Sequence, residues 1–156
     1  MAGTATASVT TAQRRLEYIK VFKASPNDRI GMIRRGLPAT AVKQIVSDLK
    51  VEQKTFFDAL NLKTATVNRK AARNDALPSE DTERVLGVMR LIGQLEAIVE
   101  ESGNGEGFDA ASWLSNWLRE PMSALGGAKP LSLLDTMEGQ AMVADVLAKV
   151  QSGAYA

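Results

Sequence analysis

The sequence predicts an all-α fold, and three observations predict it. Apolar residues recur at three- and four-residue spacing through most of the chain. No stretch alternates β-branched or aromatic residues with polar ones at period two. The periodic segments are bounded by Ser, Asp, Pro and Gly where helices start and stop. With 156 residues, 45% of them hydrophobic and 24% charged, the chain suits one medium domain or two small ones sharing a core. No window of about 18 apolar residues is free of charge, so no membrane-spanning helix is expected. His and Cys are absent, which removes zinc clusters, thiol nucleophiles, imidazole triads and disulfides. No catalytic residue, metal ligand or cofactor is assigned.

Residues 1–24 read as an N-terminal tail or arm. The first 13 are rich in Ala, Thr and Ser and lack the basic start and apolar middle of a signal peptide. Leu16, Tyr18, Ile19, Val21 and Phe22 are too mixed in spacing to define an element. Ser25-Pro26-Asn27-Asp28 then starts a helix: Ser as N-cap, Pro at the first helical position, an acid three residues after the cap. It ends at Gly36, with Arg34 and Arg35 favourably placed in the last turn. Pro38 opens a second helix with the face Val42, Ile45, Val46 and Leu49.

Gln53–Leu60 is a short helix with Phe56, Phe57 and Leu60 on one side. Asn61 takes the left-handed conformation that ends it, Leu62 buries the corner, and Thr64 or Thr66 starts the next helix. Leu77-Pro78 breaks the chain before Ser79, read as an N-cap with Glu80, Asp81 and Glu83 in the first turn. From there a helix of about 20 residues reaches Glu101, with the stripe Val85, Leu86, Met89, Ile92, Leu95, Ile98 and Val99. Residues 102–107 form a Gly-rich hinge. Asp109 caps a helix carrying Trp113, Leu114, Trp117 and Leu118. A loop with Gly126-Gly127 and Pro130 leads to Asp135-Thr136, which caps a last helix with Met142, Val143, Val146, Leu147 and Val150, ending at Gly153. The organisation expected is a tail over 1–24, a helical region with its long connecting helix over 25–101, and a second helical domain over 108–156.

The net charge of +1 conceals an asymmetry. Residues 1–78 hold 14 Lys/Arg against 6 Asp/Glu, and residues 79–156 hold 5 against 12. A basic half and an acidic half imply two surfaces for two partners.

Within the basic half, residues 53–73 fit a helix-turn-helix. Phe56, Leu60 and Val67 face the core and Asn61-Leu62 form the turn. Thr64, Thr66, Asn68, Arg69, Lys70 and Arg73 are left on or near an outward face. Such a helix enters the major groove, where Asn pairs with adenine and Arg with guanine, while Thr and Lys position the backbone through phosphates. Arg14, Arg15, Lys20 and Lys23 would add phosphate contacts from the arm. Two residues depart from the usual pattern: Phe57 stands where a small residue lets the helices approach, and Asn61 where Gly is usual.

The acidic half carries Trp113-Leu114, Pro121, Ala124-Leu125-Gly126-Gly127, Pro130-Leu131-Ser132-Leu133-Leu134-Asp135-Thr136, Gly139, Val143, Leu147 and Gly153. This set resembles the toxin-binding domain of Xre/MbcA/ParS-type antitoxins, and Gly36-Leu37-Pro38 followed by the helix-turn-helix resembles their Xre-like N-terminal region. The similarity spans roughly residues 25–156. Met122 departs from it, standing after Pro121 where Asn is usual. The glycine pair is read as letting the backbone turn and approach a neighbour closely. Met89, Met122, Met137 and Met142 are read as gap fillers. Trp113 and Trp117 are read as core, with an interface role as the alternative.

The resemblance implies a bacterial, cytoplasmic, dimeric antitoxin paired with a RES-domain toxin that consumes NAD. Its C-terminal domain would cover the toxin's active site, and its helix-turn-helix would bind the operator of its own operon. The candidate toxin-binding residues are Met142, Lys149, Ser152, Gly153, Ala154 and Tyr155; the chain needs no cofactor itself. The alternatives are a stand-alone helix-turn-helix regulator without a toxin, and a hydrolase using Glu80 and Asp81. Adjacent acids on a helix point apart, however, and a helix start accounts for them better.

Overall fold

A computed structural model describes residues 2–103 and 107–151 of the chain. It contains eight α-helices among those residues: α1 Ala2–Lys23, α2 Pro26–Arg35, α3 Ala39–Leu49, α4 Gln53–Ala59, α5 Thr64–Ala72, α6 Ser79–Ser102, α7 Ala110–Trp117 and α8 Met137–Gln151. Two 3-10 turns, Ser123–Leu125 and Pro130–Leu133, join α7 to α8. The only β-type pairing among the described residues is an isolated antiparallel bridge between Pro38 and Ala76.

The caps explain most boundaries. Ser25 accepts a hydrogen bond from the Asp28 N–H and Pro26 opens α2, as the sequence indicates. Asn61 does adopt positive φ after α4. Asp109 caps α7 by accepting from the Ser112 N–H at 3.1 Å, and Thr136 Oγ1 accepts from the Gly139 N–H at 2.9 Å at the head of α8. At α6 the expectation shifts by one residue: Pro78 occupies the cap position and Ser79 is already helical, with no side-chain cap. An extended Pro needs no N–H there, and Glu80 and Asp81 lie in the first turn at the positive end of the helix dipole.

Helix α6 is the axis of the molecule. Residues 91–97 are buried on every face, which a helix manages only when neighbours cover it on all sides. Helices α1 and α2 pack on it from one end of the sequence and α7 and α8 from the other. Of the stripe read from sequence, Val85, Leu86, Met89, Ile92 and Leu95 are buried and Ile98 and Val99 half-buried, and Val88, Leu91 and Ala97 join it.

Helix α1 corrects the reading of residues 14–23 as an arm. It lies along α6, burying Tyr18 and Val21. The approach is close because α6 carries Gly93 there: a Cβ at Gly93 would fall 1.9 Å from the Tyr18 carbonyl oxygen. Two arginines expected to meet phosphate hold this joint instead. Arg14 Nε pairs with Asp48 of α3 at 3.1 Å, and Arg15 Nε with the buried Glu96 of α6 at 3.1 Å. Asp48 also accepts from the Tyr18 hydroxyl at 2.5 Å and from Gln44 at 3.1 Å. Burial and that bond to Asp48 push the Tyr18 phenol far above its ordinary range.

A second glycine of α6 seats α8. A Cβ at Gly87 would fall 1.7 Å from Gln140 Oε1. Gln140, buried at the start of α8, donates through Nε2 to the carbonyls of Arg84 and Leu134, both at 2.9 Å. In the opposite direction Gln94 of α6 donates to the Ala144 carbonyl of α8 at 3.0 Å. Each carboxamide satisfies backbone acceptors across the joint.

Candidate DNA and toxin interfaces

The helix-turn-helix forms where the sequence places it. Phe56, Phe57, Leu60, Leu62 and Val67 are buried, and the Leu62 N–H closes the turn on the Phe57 carbonyl at 2.8 Å. Phe57 does not hold the two helices open. It is fully buried in the common core, with its ring edge-on to Phe56 at 6.3 Å.

Helix α5 carries the expected DNA-reading residues. Arg69 and Arg73 are exposed, and Thr64, Thr66, Asn68 and Lys70 are half-buried. Among the described residues none of Arg69, Lys70 and Arg73 has a carboxylate within ion-pair distance. Two participants at this face escape the sequence reading. Lys43 of α3 donates from Nζ to Gln53 Oε1 at 2.5 Å and to Asn68 Oδ1 at 2.6 Å, tying α3, α4 and α5 together. No sequence periodicity links a lysine to an asparagine 25 positions away.

The segment after α5 is tied to the α2–α3 junction. The Ala39 N–H donates to the Asp75 carbonyl at 3.0 Å and the Leu77 N–H to the Leu37 carbonyl at 2.8 Å. Gly36, at φ +81°, fits because a Cβ would lie 2.6 Å from the Leu77 carbonyl oxygen. Of the four cations assigned to the arm, Lys20 and Lys23 remain open to solvent. They line a cleft of about 560 Å³ with Arg35 of α2.

Of the Glu80–Asp81 pair, Asp81 is taken up in a structural contact. Asp81 is bound by Arg84 at 2.6 Å, and Arg84 Nε donates to the Leu60 carbonyl at 2.7 Å, tying α6 to the end of α4.

The C-terminal region is built around α7 and α8. Trp113 and Trp117 stack at 6.1 Å with planes 15° apart; Trp117 is buried and Trp113 partly so. Gly126 and Gly127 take φ +68° and +86°, and a Cβ on either would meet nothing within 4 Å. They serve the left-handed turn and not the close approach expected of them. The loop closes on Met122 backbone: its carbonyl accepts from the Leu125 and Gly127 N–H groups at 3.0 and 2.9 Å, and its N–H donates to the Ala128 carbonyl at 3.1 Å. Main-chain bonds therefore close the turn at Met122, where the resemblance leads one to expect Asn.

Of the expected toxin-binding residues, Met142 is 47% exposed on α8, with Met137 one helical face away at 42%. Both are thus surface residues and not gap fillers, unlike Met89, which is buried, and Met122, which packs on the core. Lys149 pairs with Asp145 one turn earlier, at 2.9 Å. Ser152, Gly153, Ala154 and Tyr155 lie outside the described residues.

Comparison with known proteins agrees with this division. Residues 28–90 match the antitoxin Xre-like helix-turn-helix domain, and residues 94–153 match the antitoxin Xre/MbcA/ParS C-terminal toxin-binding domain. A relative from Sphingobium sp. (strain YBL2), named Prs ADP-ribosylating antitoxin, is 60% identical over 139 residues, 89% of this chain and 87% of its own. The chain belongs to the Xre/MbcA/ParS antitoxin family. Its two family domains meet inside α6, between residues 90 and 94, so one helix serves both. The DNA-binding part and the toxin-binding part are also joined by an ion pair of Lys50 with Asp109 at 3.0 Å. Burial alone would raise Asp109; the Ser112 N–H and hydroxyl and the Lys50 ammonium outweigh it and hold the carboxyl below its ordinary value.

Proposed function

We propose that this antitoxin neutralises a RES-domain toxin that consumes NAD, by laying α8 and the segment after it over the toxin's active site. As a homodimer in the bacterial cytoplasm, it represses its own operon through α5. The observation that carries the reading is the match of both antitoxin domains across one shared helix: α5 carries Arg69, Lys70 and Arg73, none with a carboxylate within ion-pair distance among the described residues, and α8 exposes Met137 and Met142. The relative's name supports the toxin class, because ADP-ribosylation is a chemistry that draws ADP-ribose from NAD. The dimer follows from the habit of helix-turn-helix proteins to read two half-sites about one helical turn apart. No catalytic role is proposed for the chain, since covering a partner's site requires surface and shape only.

Co-expression with the product of the adjacent open reading frame tests this. The neighbour alone should arrest growth and deplete cellular NAD, and the pair should be harmless and co-purify. No association, or toxicity without NAD loss, would refute the antitoxin pairing or the RES class respectively. Deleting residues 153–156 should release toxicity while DNA binding survives. Inhibition that persists would place the blocking contacts on α8 alone.

A further inference from the structure

Asn68 is the residue of α5 whose base preference the structure changes. A free Asn carboxamide offers one acceptor and one donor side by side, the complement of adenine N6 and N7. Here one lone pair of that acceptor is engaged. Lys43 Nζ lies 2.6 Å from Asn68 Oδ1, and because an ammonium only donates, the oxygen must be the atom turned toward it. The amide nitrogen is thereby directed away from Lys43. The same ammonium donates to Gln53 Oε1 at 2.5 Å, which fixes that amide the same way round at the start of α4.

Lys43 has three N–H bonds and spends two of them on these oxygens, leaving one. The cluster thus presents the two donors of Asn68 Nδ2, the remaining hydrogen of Lys43 and the two donors of Gln53 Nε2. One lone pair of each amide oxygen is taken by the ammonium, and the full positive charge beside the other opposes any donor that approaches it. The exocyclic amino group of adenine, a donor, would face that ammonium. Guanine shows two adjacent acceptors, O6 and N7, in the major groove, and no other base shows such a pair.

We propose that Lys43, outside the helix-turn-helix itself, acts as a specificity-determining residue by holding Asn68 Oδ1 against its ammonium and leaving the Nδ2 donors to read, so that the base pair facing Asn68 is selected as guanine and not adenine. The proposal rests on α5 being the DNA-reading helix, and it assigns Lys43 a role other than a phosphate contact.

Selection of binding sites from a random duplex pool tests it, with the full chain as wild type, Lys43→Met, Lys43→Arg, Asn68→Ala and the Lys43→Met/Asn68→Ala double variant. Lys43 is exposed, and thermal unfolding of each variant confirms that it folds. The wild type should select guanine at one position that loses its preference in Asn68→Ala. Lys43→Met should shift that position to adenine and weaken binding to the guanine site about tenfold or more, leaving other positions unchanged. Lys43→Arg, which keeps the charge and donors, should retain guanine. In the double variant the Lys43 change should have no further effect at that position.

Three results would overturn the proposal. Lys43→Met could keep the wild-type preference, it could weaken all sequences equally as loss of a phosphate contact does, or the Asn68-dependent position could already be adenine in the wild type. A wild type that binds no DNA would refute the reading of α5 itself, an outcome distinct from these three.

Discussion

At Arg69 the chemistry of the reading helix is most exposed to test. Its guanidinium is exposed and free of carboxylates among the described residues, so as the proposed reader it would meet DNA without first breaking an ion pair. Arg69→Ala should weaken binding to a selected operator by about 1–3 kcal/mol, measured by gel shift; unchanged affinity would count against α5 as the reader. Glu96 gives a second residue-level test. Burial raises its pKa above the ordinary value, and Arg15 offsets only part of that. Its proton is held more tightly in the folded chain than in the unfolded one. Glu96 therefore favours the fold below the ordinary glutamate value and loses that contribution as pH rises through the raised one. Urea unfolding at a series of pH values from about 4, the ordinary glutamate range, upward to neutral should show wild type gaining stability over Glu96→Gln as pH falls. Parallel pH profiles would refute this.

At the scale of elements, the two glycines of α6 have unequal roles. A methyl at Gly87 meets the end of the Gln140 side chain, which can move, whereas a methyl at Gly93 meets Tyr18 main chain, which cannot without displacing α1. Gly93→Ala should cost about 3 kcal/mol and Gly87→Ala clearly less, read from chemical denaturation; equal costs would mean that α1 and α6 are not in backbone contact. The same contact explains what sequence reading reaches and misses. Helices α2 to α5 are legible because each carries a local signal: the Ser25-Pro26 start, the Pro38 start, Asn61 at the turn, a stripe at helical spacing. Helix α1 is not, because its anchors Tyr18 and Val21 are few among Ala, Thr and charged residues. What makes it pack is a gap 75 positions further on, at Gly93. Lys43 is invisible for the same reason: its role is defined by two amides brought to it by folding. Met137 and Met142 show the converse, since methionine in a helical stripe looks the same whether its face is covered or bare.

For the whole molecule, the charge asymmetry marks functions and not folding units. The basic half and the acidic half both build on α6, and the family boundary at residues 90–94 falls inside its most buried stretch. A fragment ending at residue 90 would lose Ile92, Leu95, Glu96 and the seat of Tyr18 at Gly93. It should fail to fold, whereas the full chain should unfold in one transition, as followed by circular dichroism at several wavelengths. A fragment 1–90 with native helicity and cooperative unfolding would refute this dependence.

The paired glutamines between α6 and α8 have a consequence for assembly. Sliding α8 by one turn along α6 moves its groups by about 5.4 Å, enough to break Gln94 from the Ala144 carbonyl and Gln140 from the Arg84 carbonyl together. The register is therefore indexed to a single notch. On the proposed dimer, the helix that meets the toxin then stands at a set interval from the helix that meets DNA. If two such chains read adjacent half-sites as proposed, the pitch of the operator becomes the ruler that spaces their C-terminal domains along the duplex.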